Sequence, residues 1–443
     1  MSHAMSHTVS HTMHIARHPA LLFVRRCIPC TTSHVARSIL ATFALLAGLA
    51  PAFFFAPAAS AHERAANAAG GSVHAVRLDS PAVVRIIKVE SGRVICKACY
   101  QGQDIPFPLD GTSSYSAIFS GSGTLISPDG YILTADHVAD AGLADNDIFR
   151  QQAINELAQK AGISVDQATQ DFQESQQAGQ IQFDIHVTQL TAFLSTAYIG
   201  AVRDATQVGD PQVALPVTRV VASSPVEKQD VAIVKVEGHD LPNVRIAPTG
   251  SVHVQDRVSA IAFPADADVG SDRFVDGDFT HLLNPQQGEE AELTDLLTPT
   301  VEGGQIIAIK RLADGTSYYQ TDQIGNHGSS GGAVINDQGD IVGFLDALND
   351  VNSGNPTRVA DLITNDVIAS YVQQAGITDS GQGAFASRWT QAVDALDNGD
   401  ACQAAQARDG LRQLSTDYPR FSAIQPFMLQ AQSESAGARC LPS

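Results

Sequence analysis

Residues 328–336 read Gly-Ser-Ser-Gly-Gly-Ala-Val-Ile-Asn, a serine between glycines directly before an apolar strand pattern. Two other segments have a matching character. Residues 133–138 read Leu-Thr-Ala-Asp-His-Val at the end of a predicted strand, and residues 229–235 read Gln-Asp-Val-Ala-Ile-Val-Lys, where an acid opens another strand. A serine hydroxyl is a weak nucleophile at neutral pH, and it needs a base whose tautomer is held by a carboxylate. The three segments together supply these groups.

The candidate catalytic residues are His137, Asp230 and Ser330. The glycines around Ser330 allow the backbone amides of Gly328 and Ser330 to face a developing oxyanion, where one donor is worth about 3–4 kcal/mol of barrier. Each segment alone is common in unrelated proteins. Their conjunction, each beside an apolar strand, predicts nucleophilic hydrolysis.

A different fold also carries a glycine-flanked serine. Ser330 fits the G-x-S-x-G elbow of the α/β-hydrolases, but that fold needs its histidine after the serine. No histidine follows His327 in this chain, so the α/β-hydrolase interpretation fails.

Strand-like runs separated by turn residues dominate the middle of the chain, and few helical patterns alternate with them. This arrangement predicts a mainly β fold, a barrel or a sandwich, instead of a doubly wound sheet. The predicted strands cover residues 80–90, 116–126, 130–134, 212–222, 231–236, 257–263, 304–310 and 332–345.

Helical patterns interrupt and follow the strands. A helical insertion is predicted at about 145–180, because its apolar residues recur at i, i+3, i+4 and i+7. These residues are Ile154, Leu157, Ala158 and Ala161. Residues 356–376 are also predicted to be helical.

A linker is predicted at 378–383, followed by a small helical module over 384–443. The offsets of Ala407, Leu411, Leu414 and Pro419 match the second helix of a tetratricopeptide (TPR) repeat, although the spacing between the helices is two residues too long. One such repeat cannot bury its own apolar face, so it must pack on a third helix or on the preceding domain.

The three catalytic segments resemble those of the trypsin-like, chymotrypsin-fold serine peptidases, and most of all the bacterial Deg (high-temperature-requirement) branch. Residues 121–134, from Gly-Ser-Gly-Thr to Tyr-Ile-Leu-Thr, are similar to that branch's strands before the catalytic histidine. Residues 262–264 and 298–301 are similar to its later barrel strands. The resemblance covers about 80–375, and the helical module stands where that branch has a PDZ domain.

The resemblance implies two six-stranded β-barrels over residues 62–377, with the triad in the cleft between them. It places Ile324 near the base of the primary specificity pocket and His327 at its rim, which implies an apolar or small residue at the cleaved position. Ser329 stands where trypsin-like zymogens carry an aspartate, so activation by insertion of a new N-terminus is not expected. The resemblance implies no cofactor, and no metal site is predicted.

Residues 1–61 have the character of a secretory signal. They contain four arginines and no acid, then an apolar run over 39–55, then Ala-Ser-Ala at 59–61. This order is typical of a cleaved signal peptide and predicts a periplasmic or secreted protein. The alternative is an uncleaved inner-membrane anchor, because residues 39–61 nearly suffice to span a bilayer.

Four cysteines follow this segment: Cys96, Cys99, Cys402 and Cys440. They allow three pairings, of which the spacing favours Cys96–Cys99 and Cys402–Cys440. The Cys-x-x-Cys spacing also suits a redox pair or half of a zinc site, but no second such pair completes a metal site. Structural disulfides are predicted, and the longer bridge would contribute roughly 3–4 kcal/mol.

The chain carries a formal net charge of −20, which excludes nucleic acid and anionic membranes as partners. Five aspartates crowd residues 266–278, a stretch that suits either a calcium site or a solvated acidic loop. It lacks the EF-hand spacing, which favours the loop.

The sequence therefore predicts an exported serine endopeptidase acting on proteins or peptides through an acyl-enzyme. One alternative is a catalytically latent, protease-fold binding protein that acts through its helical modules. Another is a hydrolase of small esters on the same fold. A protein partner is predicted for the insertion or for the C-terminal module.

Overall fold

The computed structural model describes residues 72–140, 142, 146–209, 213–265, 280–313, 315–323, 325, 328–346, 359–378, 381–397, 399–437 and 440. The predicted signal 1–61, the aspartate-rich stretch 266–278, Ile324 and His327 lie outside these residues. In the part of the chain that is described, no helix is long and apolar enough to cross a membrane.

The first half of the chain forms a closed antiparallel barrel. Its strands are β1 (Val83–Tyr100), β2 (Gln103–Phe107), β3 (Tyr115–Leu125), β4 (Tyr131–Thr134), β5 (Ile181–Leu194), β6 (Ala214–Ser224) and β7 (Val231–Val236). The order β1-β3-β4-β7-β6-β5 closes because β1 also pairs with β5, and β2 is a hairpin on the end of β1. Closure leaves this six-stranded barrel without free edges.

A second barrel follows. Its strands are β8 (Arg245–Ile246), β9 (Arg257–Ala262), β10 (Thr300–Arg311), β11 (Ser317–Thr321), β12 (Ala333–Ile335), β13 (Asp340–Asp346) and β14 (Ala360–Thr364). The order β9-β10-β11-β14-β13-β12 closes through β12 on β9, and β8 adds a short parallel pairing to β13. The predicted fold of two six-stranded barrels is confirmed.

One helix prediction was wrong in part. Residues 360–364 form β14, and only Asn365–Gln374 is helical. Ala360, Leu362 and Thr364 are buried in alternation, because the second barrel needs this strand between β11 and β13 to close. Tertiary pairing therefore overrides the local helical pattern.

The first helix of the described part, α1, covers residues 72–79 and continues into a 3-10 turn over Ser80–Ala82. After this α1 come α2 (Asp136–Ala139), α3 (Asn146–Ala161), α4 (Val165–Gln177), α5 (Thr196–Ile199), α6 (Ala205–Gly209), α7 (Thr280–Leu283), α8 (Glu290–Leu296), α9 (Asn365–Gln374), α10 (Ala384–Asp397), α11 (Ala401–Asp417) and α12 (Gln425–Glu434).

The predicted helical insertion is the helix pair α3–α4. The first barrel extends beneath it, because β1 and β5 continue together past the barrel as a long ribbon. Phe149 and Phe172 on the two helices pack with Val94 and Phe107 of the ribbon in a separate apolar cluster. The Phe107 and Phe172 rings meet edge to face at 5.8 Å. The insertion therefore has its own small core beside the barrel.

The C-terminal helices α10–α12 pack on the first barrel and on α1. Phe385 of α10 contacts Tyr198 and Phe421 edge to face, with ring centroids 5.1 and 5.0 Å apart. Trp389 donates its indole N–H to the carbonyl of Arg77 in α1 at 3.1 Å. The apolar face of the module is thus buried inside the same core as the first barrel. The assignment to a TPR repeat stays a prediction.

Both predicted cysteine pairs are bonded in the structure, Cys96–Cys99 at the end of the ribbon and Cys402–Cys440 across the C-terminal helices. No redox or zinc role is needed to account for Cys96 and Cys99.

Candidate active site

His137 and Asp230 are brought together by two neighbouring strands. His137 lies on α2, just after β4 ends, and Asp230 immediately precedes β7, which pairs with β4. Asp230 Oδ2 lies 2.7 Å from His137 Nδ1, and Asp230 Oδ1 accepts the backbone N–H of His137 at 3.1 Å. A carboxylate at Nδ1 favours the tautomer protonated there, which leaves Nε2 able to accept a proton.

Asp230 is almost completely buried, at 2% exposed, and its backbone has φ +44°. Aspartate is one of the few residue types that tolerate this left-handed region, because its short side chain can bond locally. The turn before β7 thereby directs the carboxylate to the histidine instead of to solvent.

The Ser330 loop is tied to the first barrel by Ser122 of β3. The Ser122 N–H donates to the carbonyl of Ser330 at 2.9 Å. Its hydroxyl donates to the carbonyl of Gly328 at 2.7 Å and accepts the N–H of Phe263 at 2.8 Å. One buried serine thus joins the loop to both barrels. Sequence reasoning placed Ser122 in a family-like motif but did not assign it this role.

Glycine is required at two positions of this loop. Gly328 and Gly331 have φ values of +87° and +85°. A Cβ on Gly331 would lie 2.2 Å from the carbonyl oxygen of Ser122 and 2.4 Å from Thr134 Oγ1. Any side chain at this position would therefore clash with β3 and β4 of the first barrel. The loop therefore lies directly against the end of β4, which leads into His137.

A third carboxylate borders the pair. Asp346, at the end of β13, places a carboxylate oxygen within 4.8 Å of a ring nitrogen of His137 and of an Asp230 oxygen. Its neighbour Leu345 accepts the N–H of Gly331 at 2.9 Å, so β13 supports the serine loop and positions Asp346 together. The sequence analysis did not identify Asp346. Its position at the end of an apolar strand, like that of Asp230 before one, could have indicated it.

A buried cation holds α2 in place. Lys88 Nζ donates to the carbonyls of His137 and Asp140, both at 2.9 Å, and forms an ion pair with Glu90 at 2.8 Å. The Lys88 and Glu90 side chains are 2% and 0% exposed. A positive charge at the carbonyl end of a helical turn is favourable. The sequence signal was a lysine and a glutamate inside an otherwise apolar strand.

A cavity of about 400 Å³ opens beside His137. It is lined by Asn146 at the start of α3, by Phe183 and Ile185 of β5, and by Glu227 between β6 and β7. Asp136 also lines it. Burial raises the pKa of Asp136 to about 6, an effect that a hydrogen bond with Ser223 partly offsets. The start of the insertion and the strand that follows it therefore border the space next to His137.

The structure brings four of the predicted site residues to one region of the molecule. His137 and Asp230 are in direct contact, and Gly328 and Ser330 share the loop that lies against the β4–α2 junction. Ile324 and His327 lie outside the described residues.

The family model described as a trypsin-like peptidase domain matches residues 121–344 of this chain. The chain belongs to the trypsin-like peptidase family. The match includes all three predicted catalytic residues and most strands of both barrels, although β1 and β14 lie outside it. Members of this family are serine endopeptidases, so the chain belongs to that enzyme class. No curated protein sequence matches this trypsin-like peptidase.

Solved structures with a similar chain include a serine endoprotease from Yersinia pestis, at 18% identity and a TM-score of 0.36. The match covers 69% of this chain and 66% of that one. The HtrA-type protease AlgW, bound to a decapeptide or to a tripeptide, matches at 18% identity with TM-scores of 0.39 and 0.36. Each match covers 69% of this chain, and they cover 68% and 64% of the AlgW chains. The chain thus spans about two thirds of the length of these proteins.

Proposed function

We propose that this chain is an exported serine endopeptidase that cleaves protein substrates with Ser330, His137 and Asp230. The observation that carries the proposal is the doubly bonded contact of Asp230 with His137, next to a serine loop that both barrels hold. This is the arrangement that activates a serine hydroxyl.

In the proposed reaction, Ser330 Oγ attacks the peptide carbonyl while His137 Nε2 takes its proton. The amides of Gly328 and Ser330 stabilise the tetrahedral oxyanion. His137 then returns the proton to the leaving amine, the peptide bond breaks, and an acyl-enzyme forms. Water, deprotonated by His137, releases the acid and restores the serine. Asp230 remains ionised and stabilises the imidazolium. No cofactor takes part.

The test is casein cleavage by the full chain and by its Ser330→Ala variant. Loss of a triad serine lowers turnover by about a million-fold, so the variant should show no detectable casein cleavage. Ser329→Ala is the matched control, because Ser329 is the neighbouring buried serine and the substitution keeps the backbone. It should retain cleavage.

Two results separate the alternatives. Cleavage that survives Ser330→Ala contradicts the assigned nucleophile. If the parent neither cleaves casein nor reacts with a fluorophosphonate at Ser330, the protease-fold binding protein that acts through its helical modules becomes the better account. A comparison of peptide and ester substrates tests the third alternative, an esterase.

For the cleaved bond, we propose an apolar or small residue on its acyl side, selected by Ile324 with His327 at the pocket rim. This rests on the family resemblance alone. A set of peptides that differ only at this residue tests it, and preferential cleavage after lysine or arginine contradicts it.

We also propose export through the signal in residues 1–61, to the periplasm or the medium, with membrane anchoring if that signal is not cleaved. Two disulfides support an oxidising compartment. Sequencing the N-terminus of the mature protein should find His62 first. A start within residues 1–38 in a membrane fraction would establish the anchor instead.

A protein partner is proposed for the helical modules, and the insertion is the better location. The C-terminal module buries its aromatic residues in the core of the first barrel, whereas α3 begins at Asn146 on the border of the cavity beside His137. A pull-down that compares the parent with a variant lacking 146–177 tests this proposal, and equal capture by both contradicts it.

A further inference from the structure

The connection between β9 and β10 contains a histidine that faces two glutamates. His281, on α7, places its Nδ1 3.5 Å from Glu289 Oε1 and 3.3 Å from Glu292 Oε2. Glu289 is the N-cap residue of α8 and Glu292 lies three positions later in its first turn, so both side chains lie on the same side of the helix start. The three side chains are partly buried, at 19–33% exposed.

An ion pair accounts poorly for this geometry. A protonated Nδ1 carries one N–H, which can point well at only one oxygen, and both distances exceed the usual hydrogen-bond range of about 2.7–3.2 Å. Ligands held at about 2.0–2.2 Å from a small divalent cation are, in contrast, about 3.0–3.5 Å from one another. The two separations from His281 Nδ1 match a shared cation, and all three ligand atoms lie within 4.8 Å of one another.

The surroundings hold the ligands in place. The second oxygen of Glu289, Oε2, accepts the backbone N–H of Gln286 at 2.8 Å, which turns Oε1 toward His281. Outer contacts of this kind are typical of metal-binding carboxylates. Leu282 of α7 and Leu293 of α8 are 1% and 0% exposed and fix the two helices in the main core.

We propose that His281, Glu289 and Glu292 bind a zinc-class divalent cation that fastens α7 to α8. An imidazole together with carboxylates suits Zn²⁺, whereas Ca²⁺ and Mg²⁺ prefer sites made only of oxygen. Two glutamates balance the charge of one divalent ion. This site is separate from the proposed triad and does not depend on the peptidase proposal.

The cation would stabilise a junction between the barrels. The carbonyl of Leu296, the last residue of α8, accepts a hydrogen bond from Arg85 of the first barrel at 2.7 Å. Thr294 of α8 accepts the N–H of Val202 at 3.0 Å. The connection itself begins after β9, where Ala265 lies against Gly328 of the serine loop. Fastening α7 to α8 therefore rigidifies a segment that contacts both barrels.

The test is a Zn²⁺ titration of the full chain carrying Ser330→Ala, which prevents self-cleavage, with hydrogen exchange as the local readout. Zn²⁺ should slow amide exchange over 281–296 and raise the melting temperature by at least about 2 °C. His281→Ala and Glu292→Gln should abolish both effects and bind one equivalent less. Glu290→Gln is the matched control, because it removes the same charge from the same turn outside the cluster.

Two further controls keep the test specific. The chain has 14 histidines, so stoichiometry is read as the difference between parent and variant. His137→Ala disables the other ligand group among the described residues, His137 with Asp230 and Asp346, and should leave the protection of 281–296 intact. Equal exchange with and without Zn²⁺ in the parent, or the same effect of Zn²⁺ in His281→Ala, would overturn the proposal, as would equal protection by Ca²⁺.

Discussion

Asp136 shows how closely one residue can couple stability to the site. It immediately precedes His137 and lies 8% exposed at the start of α2. Burial raises its pKa from 3.8 to about 6, and the neighbouring acids Asp140 and Asp230 add to the rise. The folded chain therefore binds more protons at this carboxyl than the unfolded chain does between about pH 4 and pH 6.

The free energy of unfolding should depend on pH through the Asp136 carboxyl. Protonated Asp136 contributes stability that is fully present below about pH 4 and is lost as pH rises through about 6. Asp136→Asn removes this pH dependence. The free energy of unfolding of the variant minus that of the parent should therefore increase from about pH 4 to about pH 6 and stay constant at higher pH. Urea denaturation in a Ser330→Ala background at pH 4.5, 6 and 7.5 measures it.

Other raised carboxyls do not disturb this comparison. The pKa of Asp79 is raised well above 3.8 by its burial, but Asp79 is present in both proteins and cancels in the difference. A parent-to-variant difference that does not change with pH would contradict the prediction.

At the scale of elements, α2 is a single turn that depends on β1 for its position. Lys88 donates to the carbonyl of His137 in this turn and to that of Asp140 directly after it, and it forms an ion pair with Glu90 two residues along the same strand. Buried pairs of this kind add little net stability relative to apolar residues, but breaking one is costly. Their use here is to place the helix that carries His137.

Lys88→Met should lower the free energy of unfolding by about 3–5 kcal/mol, because the fully buried Glu90 carboxylate loses its ion pair with Lys88. The double variant Lys88→Met/Glu90→Leu should recover most of that loss. Neither variant holds the carbonyl of His137, so both should show a reduced kcat. Urea denaturation and steady-state peptide cleavage measure the two effects separately. Recovery of kcat together with stability would mean that Lys88 has no positioning role.

On the scale of the whole molecule, the C-terminal helices and the first barrel share one core. Phe385 and Phe421 of the module pack on Tyr198, which follows β5, and Trp389 packs on Phe421. Asp240, beyond β7, accepts the Tyr418 hydroxyl and the N–H of Phe385. Ring contacts and hydrogen bonds both join the C-terminal module to the first barrel. The module and the barrel should therefore unfold together.

Phe385→Ala should therefore lower the free energy of unfolding of the whole unit by about 3–5 kcal/mol, in a single transition. Leu429→Ala is the control, because Leu429 on α12 is 63% exposed and its loss should cost no more than about 0.5 kcal/mol. Calorimetry with probes in both regions measures this. Two separate transitions, with only the first shifted, would show that the module folds independently.

Apart from the two barrels, which the family resemblance implied, the sequence by itself determined a mainly β fold, the cysteine pairs, the helical insertion and the contact of His137 with Asp230. These features depend on local patterns: apolar strands such as residues 231–236, turn residues between them, and short motifs of defined chemistry. Only the tertiary structure decided the rest. Residues 360–364 became a strand because barrel closure required one. Lys88, Asp346 and the group around His281 gained their roles from contacts between distant strands and helices. Local periodicity carries no information about which buried charges will meet, because pairing register and packing create those meetings.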